Sequence, residues 1–264
     1  MPDLPRWKVN LSVYGPIYIK NKFVLRHRKD ISHEEPLYSD IEIYNRNNGV
    51  DVVVTAFAKN KHSAQKAALF FFGHAVDVLS FKINLPIKLE YSKNKSLTNH
   101  NLRREITKVE WNKAFKDSRL LFFKQPVFLR AIGWYRKALY TEEVTDKFLS
   151  FYNSLEIISN KYHPEYERKE KGSKSHMWET FKKIWGDCSQ WPIIADDKDW
   201  IDENYEIRKN IAHGVKEINV EFINEVDNRL EEIRKVSYRL INDWWEEKLD
   251  LEISPDIRDK VERG

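Results

Sequence analysis

Apolar and polar residues alternate with a period of two over most of the first 92 residues, a pattern typical of half-buried strands. The pattern predicts strands over residues 7–14, 17–25, 41–44, 52–58 and 87–91. The turn sequence Asn47-Asn48-Gly49 between the third and fourth of these predicts a hairpin. A helix with Ser63 as its N-cap is predicted to follow the hairpin, because apolar residues recur there at helical spacing. Residues 1–92 are therefore expected to form a small α+β domain.

The spacing of apolar residues changes after residues 93–118. These residues form a polar segment rich in Lys and Asn that is expected to be a linker. Beyond it, apolar residues recur every three or four positions. This spacing predicts helices over residues 128–139, 141–162, 177–185, 196–213 and 220–248, with a charged loop over residues 165–175. The expected fold class is an α+β N-terminal unit followed by an all-α helical bundle over residues 119–250, with a tail over residues 251–264.

The composition restricts which covalent links, metal sites and cellular compartments are expected for this protein. The chain has 264 residues and one cysteine, Cys188, so a disulfide within the chain and a CxxC zinc site are both excluded. The first residues have no apolar segment of the kind found in secretory signals, and the longest apolar run is too short to span a membrane. We therefore expect a soluble cytoplasmic protein without a membrane partner.

The net charge of +4 is unevenly distributed. Residues 1–110 carry 18 Lys/Arg against 11 Asp/Glu, residues 111–218 carry 19 against 17, and residues 219–264 carry 8 against 13. A basic N-terminal part and an acidic C-terminal part are compatible with an acidic partner such as nucleic acid. Solvated faces of ordinary helices and strands explain the same distribution equally well.

The chemistry with the clearest signal lies at the end of the predicted helix 196–213, where Arg208, His213 and Gly214 follow one another closely. A guanidinium binds phosphate with two hydrogen bonds and stays charged, whereas an imidazole transfers protons near neutral pH. The two side chains can therefore bind a phosphodiester and move protons around it without a metal. The alternative is a surface Arg and a His that simply ends a helix. The acidic cluster over residues 196–203 has two interpretations as well, a divalent ion site or acids in the first turn of a helix.

Three segments together resemble the HEPN superfamily, and most closely its Apea-like branch. They are residues 131–139 (AIGWYRKAL), residues 153–156 (NSLE) and residues 207–214 (IRKNIAHG). The resemblance covers roughly residues 120–247 and implies an all-α HEPN-like bundle. Many members of this superfamily are metal-independent endoribonucleases that act as homodimers through an R-x4-6-H motif, often in toxin–antitoxin or anti-phage defence systems.

The resemblance assigns the catalytic positions to Arg208 and His213 and a supporting position to Glu156, which would pair with Arg208 or lie at the edge of an apolar stripe. Family members usually have Asn, His or Asp directly after the Arg, but here that position is Lys209. The Asn comes one residue later, and Asn210 would bind phosphate or cap the helix. Gly214 is expected to end the helix in a left-handed conformation, so that His213 turns toward Arg208.

The expected function is therefore an RNA-cleaving homodimer that needs no metal and no cofactor, with an antitoxin or a trigger ligand as a further partner. Two alternatives stay open at the level of the sequence. One is a HEPN-type module that dimerises or binds a nucleotide without catalysis. The other is a sensor whose N-terminal α+β unit binds a trigger.

Overall fold

A computed structural model describes residues 4–26, 37–90, 103–164, 172–214, 217–249 and 251. The chain divides into two compact units, one extending to Lys124 and the other spanning Gln125–Asp250. The first unit mixes strands and helices and the second is helical, so the coarse fold class expected from the sequence is confirmed. Within the described residues, no helix combines the length and the apolar character needed to cross a bilayer.

The first unit is a five-stranded antiparallel sheet with helices. Its elements in chain order are β1 Arg6–Tyr14, β2 Ile17–Tyr18, β3 Phe23–Leu25, β4 Leu37–Arg46, β5 Gly49–Phe57, α1 Lys61–Ile83, β6 Lys88–Glu90, β7 Arg104–Glu105 and α2 Lys108–Lys124. The strand order is β3-β4-β5-β1-β6, and β2 pairs with β7 in a separate parallel ladder. The predicted strand 17–25 is therefore two strands that belong to different sheets.

The hairpin predicted at Asn47-Asn48-Gly49 connects β4 to β5. Gly49 is required there because its φ is +133° and because a Cβ on it would lie 1.9 Å from the carbonyl oxygen of Val13 on β1. The predicted N-cap of α1 is wrong by one turn. Asn60 caps the helix, and its side-chain oxygen accepts a hydrogen bond of 2.8 Å from the backbone N–H of Ser63.

The predicted linker 93–118 is wrong in its second half, because α2 begins at Lys108 and belongs to the first unit. Trp111 and Phe115 on α2 are buried, and Trp111 stacks on Phe72 of α1 with ring centroids 5.6 Å apart. The helix was missed because charged residues interrupt an otherwise regular apolar face. The first part of the linker and residues 252–264 of the tail lie outside the described residues.

The second unit is built around one central helix. Its helices are α3 Pro126–Tyr140, α4 Val144–Tyr162, α5 Ser173–Trp185, the 3₁₀ helix Cys188–Gln190, α6 Trp200–His213 and α7 Val220–Glu247. Helix α4 packs against α3, α5, α6 and α7. Its predicted buried face is confirmed, since Phe148, Phe151, Leu155 and Ile158 are all at most 1% exposed.

Two helix starts in this unit differ from the sequence prediction by four residues, about one helical turn. Helix α5 begins at Ser173, four residues before the predicted start. Helix α6 begins at Trp200 rather than at residue 196, because Asp196 has a φ of +63° and cannot belong to a right-handed helix. The predicted end of α6 is confirmed: Gly214 follows His213 in the left-handed conformation, with φ 60° and ψ 29°.

Candidate functional site

Arg208 on α6 lies against Glu156 on α4. The Nη2 atom of Arg208 is 3.5 Å from Oε2 of Glu156, and the two side chains are 24% and 16% exposed. Of the two interpretations of Glu156, the structure shows the one in which the carboxylate pairs with the guanidinium. The pair is shielded from water on most sides, and about a quarter of the Arg208 side chain remains exposed to solvent.

Glu156 is held from a second direction by Ser173, the first residue of α5. The Ser173 hydroxyl donates a hydrogen bond of 2.6 Å to Oε1 of Glu156, so each carboxylate oxygen has its own partner. Three helices, α4, α5 and α6, therefore meet at this carboxylate. Sequence reasoning missed Ser173 because it placed that residue in the charged loop 165–175. The usable signal was the Gly172-Ser173 pair, since both residue types favour a helix start.

Tyr152 lies one turn before Glu156 on α4 and is fully buried. Its hydroxyl has no hydrogen-bond partner among the described residues. Burial raises the pKa of this phenol, the neighbouring Glu156 raises it further, and Arg208 opposes the rise. Tyr152 is therefore a neutral hydroxyl close to the ion pair, and sequence reasoning treated it only as part of the helix.

His213 is the last residue of α6, and its side chain is exposed. The helix continues through His213, and the left-handed residue is Gly214, one position later. Residues five apart on a helix are separated by about 140° around its axis. The left-handed turn at Gly214 therefore comes after the imidazole, and an approach of His213 to Arg208 stays a prediction.

The two other predicted supporting residues have local roles. Lys209 forms an ion pair with Glu206 one turn earlier on α6, with Nζ and Oε2 3.2 Å apart. Asn210 lies inside α6, where it is half-buried, and the capping position belongs to Gly214. The cap role predicted for Asn210 is therefore wrong, whereas its predicted contact with phosphate stays a prediction.

Two histidines lie together where the end of α4 meets α5. The rings of His163 and His176 are stacked, with centroids 3.9 Å apart and planes 5° apart. The Nδ1 atom of His176 is 2.8 Å from Oδ1 of Asn160, which is one turn after Glu156 on α4. Sequence reasoning missed this pair because the two residues are thirteen positions apart and match no ligand or catalytic spacing.

The acidic cluster over residues 196–203 was the remaining candidate for a metal site. In the described ranges, no group of three or more His, Cys, Asp or Glu side chains is arranged to hold a metal ion. Two acids of the cluster 196–203 form ion pairs instead, Asp202 with Lys174 at 2.7 Å and Glu203 with Arg229. The basic segment 93–108 and the basic loop 168–174 lie partly outside the described residues.

Three tryptophans of the helical unit are part of its core. They are at most 2% exposed, namely Trp191, Trp200 and Trp244. The indole N–H of Trp200 donates to Glu232 on α7 over 2.7 Å, which fixes α6 against α7.

Comparisons with known protein families, with curated proteins and with solved structures find no match to this chain.

Proposed function

We propose that this protein is a metal-independent endoribonuclease that acts as a homodimer through Arg208 and His213, in a defence or toxin system. The observation that carries the proposal is the setting of Arg208. Glu156 and Ser173 fix its guanidinium, and 24% of the side chain still faces solvent. A cation held in place before the substrate arrives stabilises the charge of a phosphoryl transition state without further reorganisation.

RNA supplies the nucleophile of the proposed reaction. The 2′-oxygen gives its proton to a base and forms a bond to the adjacent phosphorus, and the bond from phosphorus to the 5′-oxygen breaks as that oxygen accepts a proton. The products are a 2′,3′-cyclic phosphate and a 5′-hydroxyl. His213 serves as a proton-transfer group, and Arg208 binds the phosphate oxygens. DNA has no 2′-hydroxyl and is not a substrate for this chemistry.

The homodimer follows from the position of the two side chains on α6. Because they are about 140° apart around the helix axis, one chain does not direct both at the same phosphate. A two-fold axis brings each residue to face a second copy of the motif. Ile218 and Val220, which follow the motif, are 52% and 68% exposed, and a partner chain would remove this apolar surface from water.

The proposal is tested by RNA cleavage in EDTA. We expect His213→Ala to lose on the order of a hundred- to ten-thousand-fold in rate, and Arg208→Ala about a hundred- to a thousand-fold. His62→Ala changes an exposed histidine at the start of α1 and is the matched control, with no expected loss. Equal rates for the wild type and His213→Ala would refute the assignment.

A second candidate function is a HEPN-type module that dimerises or binds a nucleotide without catalysis. It is favoured by the pairing of Arg208 with Glu156, which already engages the guanidinium, and by the exposed position of His213 at the end of α6. A wild-type protein that is dimeric but leaves RNA intact in EDTA, with or without added nucleotide, would support this candidate over the first.

A further inference from the structure

The stacked histidines connect the end of α4 to the first turns of α5. His163 is the C-cap residue of α4, and its Nδ1 atom is 2.9 Å from the carbonyl oxygen of Pro164. His176 lies in the first turns of α5 and contacts the side-chain oxygen of Asn160. A carbonyl oxygen only accepts hydrogen bonds, so both Nδ1 atoms donate. In each neutral ring the lone pair is then on Nε2, where the ring takes up a proton.

The contact tolerates one added proton better than two. Two imidazolium rings at a centroid distance of 3.9 Å would repel each other, because like charges at this distance disfavour double ionisation. In agreement with this, burial and then the neighbouring His163 lower the pKa of His176. The stack is therefore most stable when the rings are neutral and weakens as the solution becomes acidic.

The same face of α5 also holds the candidate site. Ser173 and His176 are three residues apart on α5, and their partners Glu156 and Asn160 are four residues apart on α4, so both contacts lie along one seam between the two helices. If the His176 contact loosens, the Ser173 hydroxyl loses its position on Glu156. The carboxylate that orients Arg208 then has one fixed oxygen instead of two.

We propose that His176, stacked on His163, is a positioning residue that holds α5 on α4 at neutral pH and releases the Ser173–Glu156–Arg208 arrangement in acid. The consequence for catalysis rests on the proposed function, but the positioning itself does not. Charged or titratable groups also lie on every helix that packs against α5. They are Glu156 on α4, Glu179 and Lys183 on α5 itself, Asp202 and Arg208 on α6, and Asp243 on α7.

The positioning is tested by NMR on the full-length protein with labelled His and Arg side chains, between pH 7.5 and pH 5. We expect the Arg208 Nε–H signal to shift as His176 titrates. We also expect amide protection over residues 176–180, the first hydrogen-bonded amides of α5, to fall by about tenfold or more across this range. His163→Phe keeps an aromatic ring in the stack but removes its charge, so the pKa of His176 should rise and the Arg208 shift should follow it.

His176→Gln is the second variant, since an amide N–H can still donate to Asn160 without titrating. It should abolish the acid-induced loss of protection, whereas His62→Gln should behave like the wild type. An Arg208 signal and a protection pattern that do not follow the titration of His176 would overturn the inference. If the coupling is present but the wild type cleaves no RNA, the proposed function fails and the positioning stands. If RNA is cleaved with the same pH profile in wild type and His163→Phe, the function stands and the inference fails.

Discussion

The pairing of Arg208 with Glu156 makes a quantitative prediction for a double-mutant cycle. Glu156→Gln keeps the shape of the side chain and an oxygen that accepts from Ser173, but removes the charge facing Arg208. Arg208→Met keeps the length of an aliphatic side chain and removes the guanidinium. Because neither change adds a group that clashes, the coupling energy between the two measures the ion pair itself.

The expected coupling follows from the geometry. Fully exposed ion pairs contribute about 0.2–1 kcal/mol, and hydrogen bonds to charged groups contribute about 1.5–3 kcal/mol. The atoms of this pair are 3.5 Å apart, at the long end for a hydrogen bond, but the side chains are only 24% and 16% exposed. We therefore expect a coupling of about 1 kcal/mol, intermediate between the two ranges. Each single variant should lower the free energy of unfolding of the helical unit by a similar amount.

The assay is urea unfolding followed by tryptophan fluorescence. Seven of the nine Trp residues lie in residues 125–250, so the signal reports mainly on the helical unit. Ser173→Ala should lower the free energy of unfolding as well, because it removes a hydrogen bond to the same carboxylate. Energies of the two single variants that simply add, within about 0.3 kcal/mol, would show that Glu156 does not hold Arg208. An unfolding free energy that rises in Glu156→Gln would contradict the reasoning in the same way.

Four further changes test other parts of the structure. Gly214→Ala should lower the free energy of unfolding by about 1 kcal/mol, because a Cβ would meet nothing within 4 Å and only the left-handed backbone opposes it. Gly73→Ala inside α1 should instead stabilise its unit by about 0.5–1 kcal/mol. Urea unfolding measures both changes. Tyr152→Phe removes a buried hydroxyl that has no partner among the described residues, so the free energy of unfolding should stay the same or rise by up to about 1 kcal/mol, and a clear loss in the same assay would show that the hydroxyl is satisfied. Burial lowers the pKa of His74, so below about pH 6.5 the unfolded chain binds this proton more readily than the folded chain. Thermal unfolding of the first unit should therefore show stability falling from about pH 7 to pH 5, with a flatter slope in His74→Phe.

Much of the fold could be predicted from the local spacing of apolar residues, because an element with one uninterrupted apolar face shows a regular period in the sequence. Helix α4 is the clearest case, with four apolar residues on one face and all of them buried. Helix α2 has the same kind of face, but the charged residues among its apolar positions made Lys108–Lys124 look like a connection. The late start of α6 depends on the backbone conformation of Asp196, which a propensity argument does not supply.

The candidate site was predictable only where a residue pattern pointed to it. Arg208, His213 and Gly214 are close in sequence, and Glu156 followed from the resemblance to a known motif. Ser173 and the stacked pair of His163 and His176 depend on how α5 docks on α4, and that contact is set by tertiary packing rather than by spacing. The direction of His213 was also beyond the sequence, since it depends on whether the helix ends before or after the imidazole.

The central claim is that Arg208 and His213 cleave RNA by attack of its own 2′-hydroxyl. The most direct test is the chemistry of the products formed in EDTA from an RNA oligonucleotide, compared with the same oligonucleotide carrying a single 2′-deoxy sugar at the cleaved position. We predict fragments that end in a 2′,3′-cyclic phosphate and begin with a 5′-hydroxyl, and no cleavage at the deoxy position. Fragments that carry a 5′-phosphate, or undiminished cleavage at the deoxy position, would contradict the claim.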